Sequence, residues 1–252
     1  MTSKISVIIP CYKNFIFFES CISSVINQTY KNIEIIIIFD DGNKKDLKTL
    51  KSILKKRQKK IRLIINSKNM GAGLSRNKAA KLAKGKYIAF LDSDDVWTRN
   101  KLKHQLAFMK KRKITISHTS YYIIDENNVK IGSQIAKYKQ TYQNLLNSCD
   151  IGLSSLMIEK DLFLKNKFTS NKTKEDYASW LKIAKKMDIY GLNKPLLLWR
   201  KTRNSLSSNT IQKVIDAFDI YYRKERFNFL NSTYRVIILS LNYFMKKLKQ
   251  KL

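Results

Sequence analysis

Seven of the 19 acidic residues fall into three short clusters, Asp40-Asp41, Asp92/Asp94/Asp95 and Glu175-Asp176. Crowding like charges is costly unless something positive, a metal ion or a buried arginine, is shared among them. The spacing Asp92-Ser93-Asp94 behind an apolar run can turn two carboxylates to one side. Such a pair suits a hard divalent cation that also takes oxygens from a diphosphate. The same residues fit a polar turn, with Asp94 and Asp95 capping a following helix. Glu175 or Asp176 could take a proton from a hydroxyl, or could occupy a helix start because negative charge is favourable there.

The elements that would position these carboxylates can be read from periodicity. Apolar runs at residues 5–9 (ended by Pro10), 33–39, 61–65 and 87–91 suit strands covered on both faces. Between them, residues 15–27, 44–56 and 72–83 read as helices, the last with Leu74, Ala79, Leu82 and Ala83 on its apolar face. Alternation of this kind implies right-handed βαβ crossovers in an open α/β sheet, whose ligands sit beyond the carboxyl ends of the strands. Residues 10–14, 40–42, 69–73 and 92–95 follow the four strands in turn, so four strand ends converge on one crevice.

After Asn100 the pattern loosens. A helix at 99–111 leads to an alternating stretch at 114–124, a turn at Asn127-Asn128 and a strand at 129–135, together a hairpin. A strand at 154–158, an amphipathic helix at 175–186 and a strand at 195–201 follow, a mixed-sheet extension that could carry the acceptor side of a site. From Ile211 the chain reads as helical. Residues 234–245 are aliphatic and aromatic and precede Lys246, Lys247, Lys249 and Lys251, which suits either an interfacial helix or a helix docked on the domain.

A chain of 252 residues with 44% hydrophobic content can bury one good core, and two prolines and seven glycines leave little room for long linkers. The 50 Lys and Arg residues give a formal charge of +31. That charge would attract nucleic acid, an anionic membrane or a polyanionic small molecule, or it is a solvated lysine face. Cys11, Cys21 and Cys149 are odd in number and widely spaced, which suggests neither zinc nor a disulfide framework and fits a reducing cytoplasm. Met1 to Lys4 lead directly into a strand, leaving no room for a signal peptide. No apolar run approaches the roughly 20 residues that span a bilayer. His104 and His118 read as structural.

The stretches "SVIIPCYKN" (6–14), "SSVINQTYKNIEIIIIFDDG" (23–42), "NMGAGLSRNKAAKLAKGKYIAFLDSDDVW" (69–97) and "KEDYASWLKIAKK" (174–186) resemble, in order and spacing, the motifs of family 2 glycosyltransferases with the GT-A fold. The resemblance covers about residues 4 to 208. It implies an α/β fold with an open mixed sheet flanked by helices, made of a nucleotide-binding half (1–98) and an acceptor half (99–208), with residues 209–252 left as the basic amphipathic helical tail. It implies an inverting hexosyltransferase-type enzyme using Mg²⁺ or Mn²⁺ and moving a sugar from a nucleotide diphosphate sugar, on family grounds a UDP-sugar, to a glycan or lipid-linked acceptor in envelope polysaccharide synthesis. By similarity, Pro10 and Tyr12 line the nucleoside pocket, Asp40 accepts from the base, Arg76 lies close to the nucleotide, Asp92 and Ser93 border the ribose, and Asp94 reaches the metal.

The resemblance makes Asp176 the catalytic base, ahead of Glu175, and Trp180 either an acceptor neighbour or a core aromatic. Arg200 and Arg203 are candidates to hold the diphosphate. Gly71 and Gly73 form a loop that lets the backbone approach the nucleotide; the dinucleotide fingerprint GxGxxG is not completed, because residue 76 is Arg. Cys11, Lys13 and Asn43 depart from the residues usual in these motifs. The processive Gln-x-x-Arg-Trp motif is missing, which implies one sugar per encounter. The expected location is cytoplasmic, peripheral on the inner face of the cytoplasmic membrane, with an anionic surface as partner of the tail. A sugar nucleotidyltransferase would want a glycine-rich loop after the first strand, and residues 10–14 have no glycine. A nucleic-acid-binding protein would cluster its lysines with stacking aromatics, whereas these are scattered, so no specific nucleic acid is expected.

Overall fold

The computed structural model describes residues 3–13, 15–55, 61–202 and 209–249. Four parallel strands, β1 (Ile5–Cys11), β2 (Ile33–Phe39), β3 (Ile61–Ile65) and β4 (Tyr87–Phe90), lie in the order β3-β2-β1-β4. The helices α1 (Phe18–Ile26), α2 (Lys44–Leu54) and α3 (Ala72–Leu82) connect them. β1 and β4 are buried on both faces, which is why their sequences are continuous apolar runs rather than alternating ones.

Pro10 does not end the first strand. It pairs with Ile38 inside β1, while the pairing of β1 with β4 stops at Ile8 and Phe90. In a parallel ladder successive residues face opposite neighbours, and the carbonyls of Ile8 and Cys11 serve Leu91 and Asp40 respectively. Pro10 therefore faces the β4 side just past the end of that ladder, where a missing N–H costs little.

Beyond β4 the sheet turns mixed. Its order continues β4-β9-β6-β10-β5 through β5 (Val96–Trp97), β6 (Ile116–Ile124), β9 (Met157–Glu159) and β10 (Ile189–Arg200), with β9 antiparallel to both neighbours and β10 parallel to β6. The hairpin predicted around Asn127-Asn128 is present as β6 and β7 (Lys130–Gln134), with Asn128 at φ 67° in the turn. The strand expected at 154–158 is a short 3₁₀ turn at Leu153–Ser155 followed by β9. The strand expected at 195–201 is the last part of a twelve-residue β10. Register shifts on either side of Pro195 absorb the residue that cannot donate to the ladder.

Four helices complete the second half: α4 (Lys101–Arg112), α5 (Tyr142–Asn147), α6 (Lys160–Lys165) and α7 (Glu175–Ala184). The short strand β8 (Lys139–Gln140) pairs with β10. The tail holds α8 (Thr210–Asp219), a π turn at Ile220–Lys224 and α9 (Phe229–Lys249). One apolar core, on the side of the sheet covered by α3, α5, α6 and α7, includes Phe90, Tyr177 and Trp180 together with Ala217, Ile220, Tyr221, Val236 and Leu239 of the tail. The other face is filled by a second cluster, from Phe18 and Val25 of α1 to Leu102 and Met109 of α4. Among the described residues, no helix is long and apolar enough to cross a membrane.

Candidate active site

The carboxyl ends of the parallel strands do bring the acidic clusters together. Asp40, at the end of β2, is buried, and its Oδ1 accepts from Asn66 Nδ2 and from the backbone N–H of Met70, each at 2.8 Å. Asn66 also donates to Ser75 Oγ (2.8 Å) and accepts from Lys78 Nζ (2.6 Å). One network thus fixes Asp40 to the end of β3 and the first turns of α3. Beside it, Asp41 Oδ2 is enclosed and, among the described residues, has no hydrogen-bond partner. An acceptor left in that state invites a donor from a ligand.

The Asp92–Asp95 loop is held by its backbone. Asp92 N–H donates to Ser154 Oγ (3.0 Å), and Cys21 Sγ donates to the Asp92 carbonyl (3.3 Å). Arg200, at the end of β10, donates through Nε to the Asp94 carbonyl (2.9 Å), and its backbone N–H donates to Asp95 Oδ1 (2.8 Å). Its Nη1 reaches the Asp125 carbonyl (2.9 Å), and its guanidinium lies 4.2 Å from the Phe17 ring centroid. Arg200 is therefore a buried brace beneath the acidic loop rather than a diphosphate ligand. Arg203 lies outside the described residues.

Asp95 is not a helix cap. The strand β5 follows it, and the buried carboxyl ties that strand's start to β10. Burial, with Asp94 and Asp92 nearby, raises its pKa well above the ordinary carboxylate value. The half-buried Asp94 is pushed up to about 6 by burial and by the Asp92 charge, against the pull of Arg200 and Arg76. A carboxylate with so little compensation is in surroundings that favour a cation.

Arg76 of α3 joins the two halves of the site. Its Nη2 donates to Asp92 Oδ1 (2.5 Å) and its Nη1 to Glu175 Oε1 (2.9 Å), so one buried guanidinium spans the end of β4 and the start of α7. That is the shared positive charge the clustered acids require. The residue was expected near the nucleotide; its partner 99 positions away could not be read from spacing.

Gly73 has a related role. A Cβ there would lie 2.7 Å from Glu175 Cγ and 3.0 Å from the Thr169 carbonyl, so the glycine lets α3 approach the α7 start. Gly71, at φ 84°, forms the turn into α3. Glu175 is pushed up to about 7 by burial, which the Arg76 charge opposes. Burial also raises the pKa of the half-buried Asp176, whose Oδ1 accepts from the Tyr177 N–H at 2.7 Å.

Among the other sequence candidates, Tyr12 is exposed, Pro10 and Ser93 are half-buried at the same end of the sheet, and Asn14 is outside the described residues. Trp180 is a core aromatic, edge-on to Phe168 with centroids 5.7 Å apart. His118 is buried in β6, and burial lowers it to about 4; His104 lies on the surface beside Lys194. Two features of the site are not visible in local sequence, the enclosed Asp41 Oδ2 and the bridge made by Arg76.

An open α/β sheet takes its ligands beyond the carboxyl ends of its strands, which is where these carboxylates gather. Residues 6–164 match the family model described as "Glycosyl transferase family 2". The chain belongs to that family, and it is a glycosyltransferase. It is 32% identical over 97% of both chains to TuaG of Bacillus subtilis (strain 168), a protein named for teichuronic acid biosynthesis. It is 33% identical to the Escherichia coli UDP-Glc:alpha-D-GlcNAc-diphosphoundecaprenol beta-1,3-glucosyltransferase WfgD, covering 98% of this chain and 94% of that one. Its fold is shared with S. aureus TarS 1-349 in complex with UDP, with a TM-score of 0.64 and 19% identity over 86% of this chain and 66% of that one. The mannosyltransferase PcManGT from Pyrobaculum calidifontis, in complex with GDP-Man and Mn2+, superposes with a TM-score of 0.66 and 14% identity over 90% and 66% of the two chains.

Proposed function

We propose that the chain is an inverting transferase that moves a hexose from a uridine diphosphate sugar to a hydroxyl of a lipid-linked acceptor, in envelope polysaccharide synthesis at the inner face of the cytoplasmic membrane. The observation that carries this reading is the Arg76 bridge from Asp92 to Glu175, because it ties a donor-side carboxylate to the neighbour of the candidate base. The named acceptor of WfgD supports the choice of acceptor class.

On this reading Pro10 and Tyr12 flank the nucleoside, and Asp40 and Asp41 accept from it. Asp40 Oδ1 is already used, so its Oδ2 and the unpartnered Asp41 Oδ2 are the acceptors offered. A carboxylate can only accept, so each of these oxygens would take a donor N–H of the base, such as the ring N–H of uracil. Asp92 and Ser93 border the ribose.

Asp94 would hold Mg²⁺ or Mn²⁺, and the raised pKa of its buried carboxyl is relieved by a cation there. Among the described residues no group of three or more His, Cys, Asp or Glu side chains is placed to hold a metal ion, so most ligands would be diphosphate oxygens and water, as such hard cations accept. When bound, the ion supplies a Lewis acid that neutralises charge on the leaving diphosphate. Asp176 takes the proton of the acceptor hydroxyl as its oxygen attacks the anomeric carbon and the bond to the diphosphate breaks on the opposite face.

The test is a panel of UDP-, GDP- and dTDP-sugars with Mg²⁺ or Mn²⁺, read as nucleoside diphosphate release with and without an undecaprenyl-diphosphate sugar acceptor. Release from a UDP-sugar that the acceptor stimulates and a chelator abolishes is the expected result. No release from any donor would overturn the reading.

A further inference from the structure

We propose that the outward faces of α8 and α9 form one surface that docks on an anionic phospholipid bilayer. This deepens the membrane-side reading above, but its test uses neither donor nor acceptor, so it fails or stands separately from the transferase assignment.

The tail helix is docked on the domain by one face only. Val236 and Leu239 are buried, Arg235 Nη1 donates to Asn147 Oδ1 (2.9 Å), Asn242 Nδ2 donates to the Asn147 carbonyl (2.8 Å), and Lys246 pairs with Asp150. The opposite face carries Leu230, Tyr234, Ile237, Leu241, Phe244 and Leu248, all exposed, with Leu230 at 79%. α8 adds the exposed Ile211, Val214 and Ile215. Phe218 stacks on Tyr222 (5.6 Å) and meets Phe229 edge-on (5.5 Å), while Lys213 Nζ lies 5.4 Å from the Tyr243 ring, so the two helices lie side by side. Exposed apolar side chains clustered in this way mark an interaction site rather than ordinary scattered surface residues.

Two occupants suit an apolar helical stripe, and charge decides between them. The positions 230, 234, 237, 241, 244 and 248 alternate steps of four and three, which a second copy of the helix could also match. But α9 contains no acidic residue, and each copy of the chain carries a formal +31, so two copies repel and have no complementary charges to pair. The tail's acids face inward: Asp216 accepts from Thr173 N–H and Oγ1 (both 2.7 Å), Asp219 from Asn171 Nδ2 (3.2 Å), and Glu225 pairs with Lys185 (2.8 Å). Exposed Lys224 and Arg226, on a chain of formal charge +31, remain for lipid phosphates. Aromatic and aliphatic side chains beside basic ones are the make-up of an interfacial helix, not of a spanning one. The Asp216–Thr173 contact also couples the docking element to the loop that leads into Asp176.

The experiment is co-sedimentation of the full chain with vesicles of phosphatidylcholine containing about a third phosphatidylglycerol, against pure phosphatidylcholine. Wild type should bind the anionic vesicles and release in high salt. The triple variant Leu230→Ser, Ile237→Asn, Leu241→Asn should bind on the order of tenfold more weakly, with an unchanged melting temperature. A second readout does not depend on that variant folding: Phe244→Trp, on the outward stripe, should be quenched by brominated acyl chains. Wild type that ignores anionic vesicles, a folded triple variant that binds as well as wild type, or an unquenched Phe244→Trp on bound protein would each overturn the proposal. So would a wild-type dimer by light scattering that the triple variant converts to monomer while neither binds vesicles.

Discussion

Asp176 and Glu175 are adjacent, yet their carboxylates have different commitments. Glu175 Oε1 is held by Arg76, whereas the bond given for Asp176 comes from its own helix backbone, leaving acceptor lone pairs for an incoming hydroxyl. Asp176→Asn should therefore keep UDP affinity and lower kcat by about 10²–10⁴, while Glu175→Gln costs less; the reverse order, measured by steady-state kinetics and calorimetry, would exchange their roles. A base works only when deprotonated, and burial raises the pKa of Asp176. The acid limb of kcat/KM should thus lie above the ordinary carboxylate value of about 3.9, and a pH–rate profile checks it. Asp94, pushed up to about 6, must lose its proton to hold a cation. Affinity for UDP with Mn²⁺ should be flat well above that pH and fall by about tenfold per unit below it, and Asp94→Ala should lose the metal-dependent part of binding altogether.

At the scale of elements, the α3–α7 contact sets the site. Gly73→Ala puts a methyl against Glu175 Cγ and the Thr169 backbone, and the backbone contact has little room to yield. We expect a stability loss of about 1–3 kcal/mol and a fall in kcat larger than any change in donor KM, since α7 carries the proposed base and α3 the first contacts of Asp40. Thermal melts and steady-state kinetics separate the two effects. The elements themselves differ in how far the sequence reveals them. β2 and β3 begin and end where the apolar runs do, because the strand-end acids and glycine at 40–42 and the polar residues after Ile65 punctuate them. β10 was half hidden: the strand expected at 195–201 leaves out residues 189–194, which only pairing with β6 and β8, bulged around Pro195, makes part of the same strand. The same distinction holds in the site. Asp92 and Asp94 announce themselves by local spacing, whereas the Arg76–Glu175 and Arg200–Asp95 contacts join residues about a hundred positions apart and depend on the tertiary fold.

At the scale of the molecule, the tail belongs to the core on one side while its other side stays open. Tyr221 is fully buried, and its hydroxyl lies 2.8 Å from the Tyr177 hydroxyl and donates to the Leu146 carbonyl at 2.7 Å, joining the tail to α7 and α5. Removing that hydroxyl with Tyr221→Phe leaves the carbonyl without this donor, a cost of about 1–3 kcal/mol. In a chain of this size each kcal/mol lowers the melting temperature by about 2–4 °C. Deleting everything from Asn209 should be far worse, because Ala217, Ile220, Val236 and Leu239 all leave the shared core and uncover Trp180's neighbours. A truncated chain would then lose vesicle binding for the wrong reason. The outward substitutions at Leu230, Ile237 and Leu241 touch none of these contacts, so they should change vesicle binding without moving the melting temperature, whereas Tyr221→Phe should move the melting temperature without changing vesicle binding. Differential scanning calorimetry beside co-sedimentation resolves the pair, and a common shift in both variants would mean that the two faces of the tail are not energetically separate.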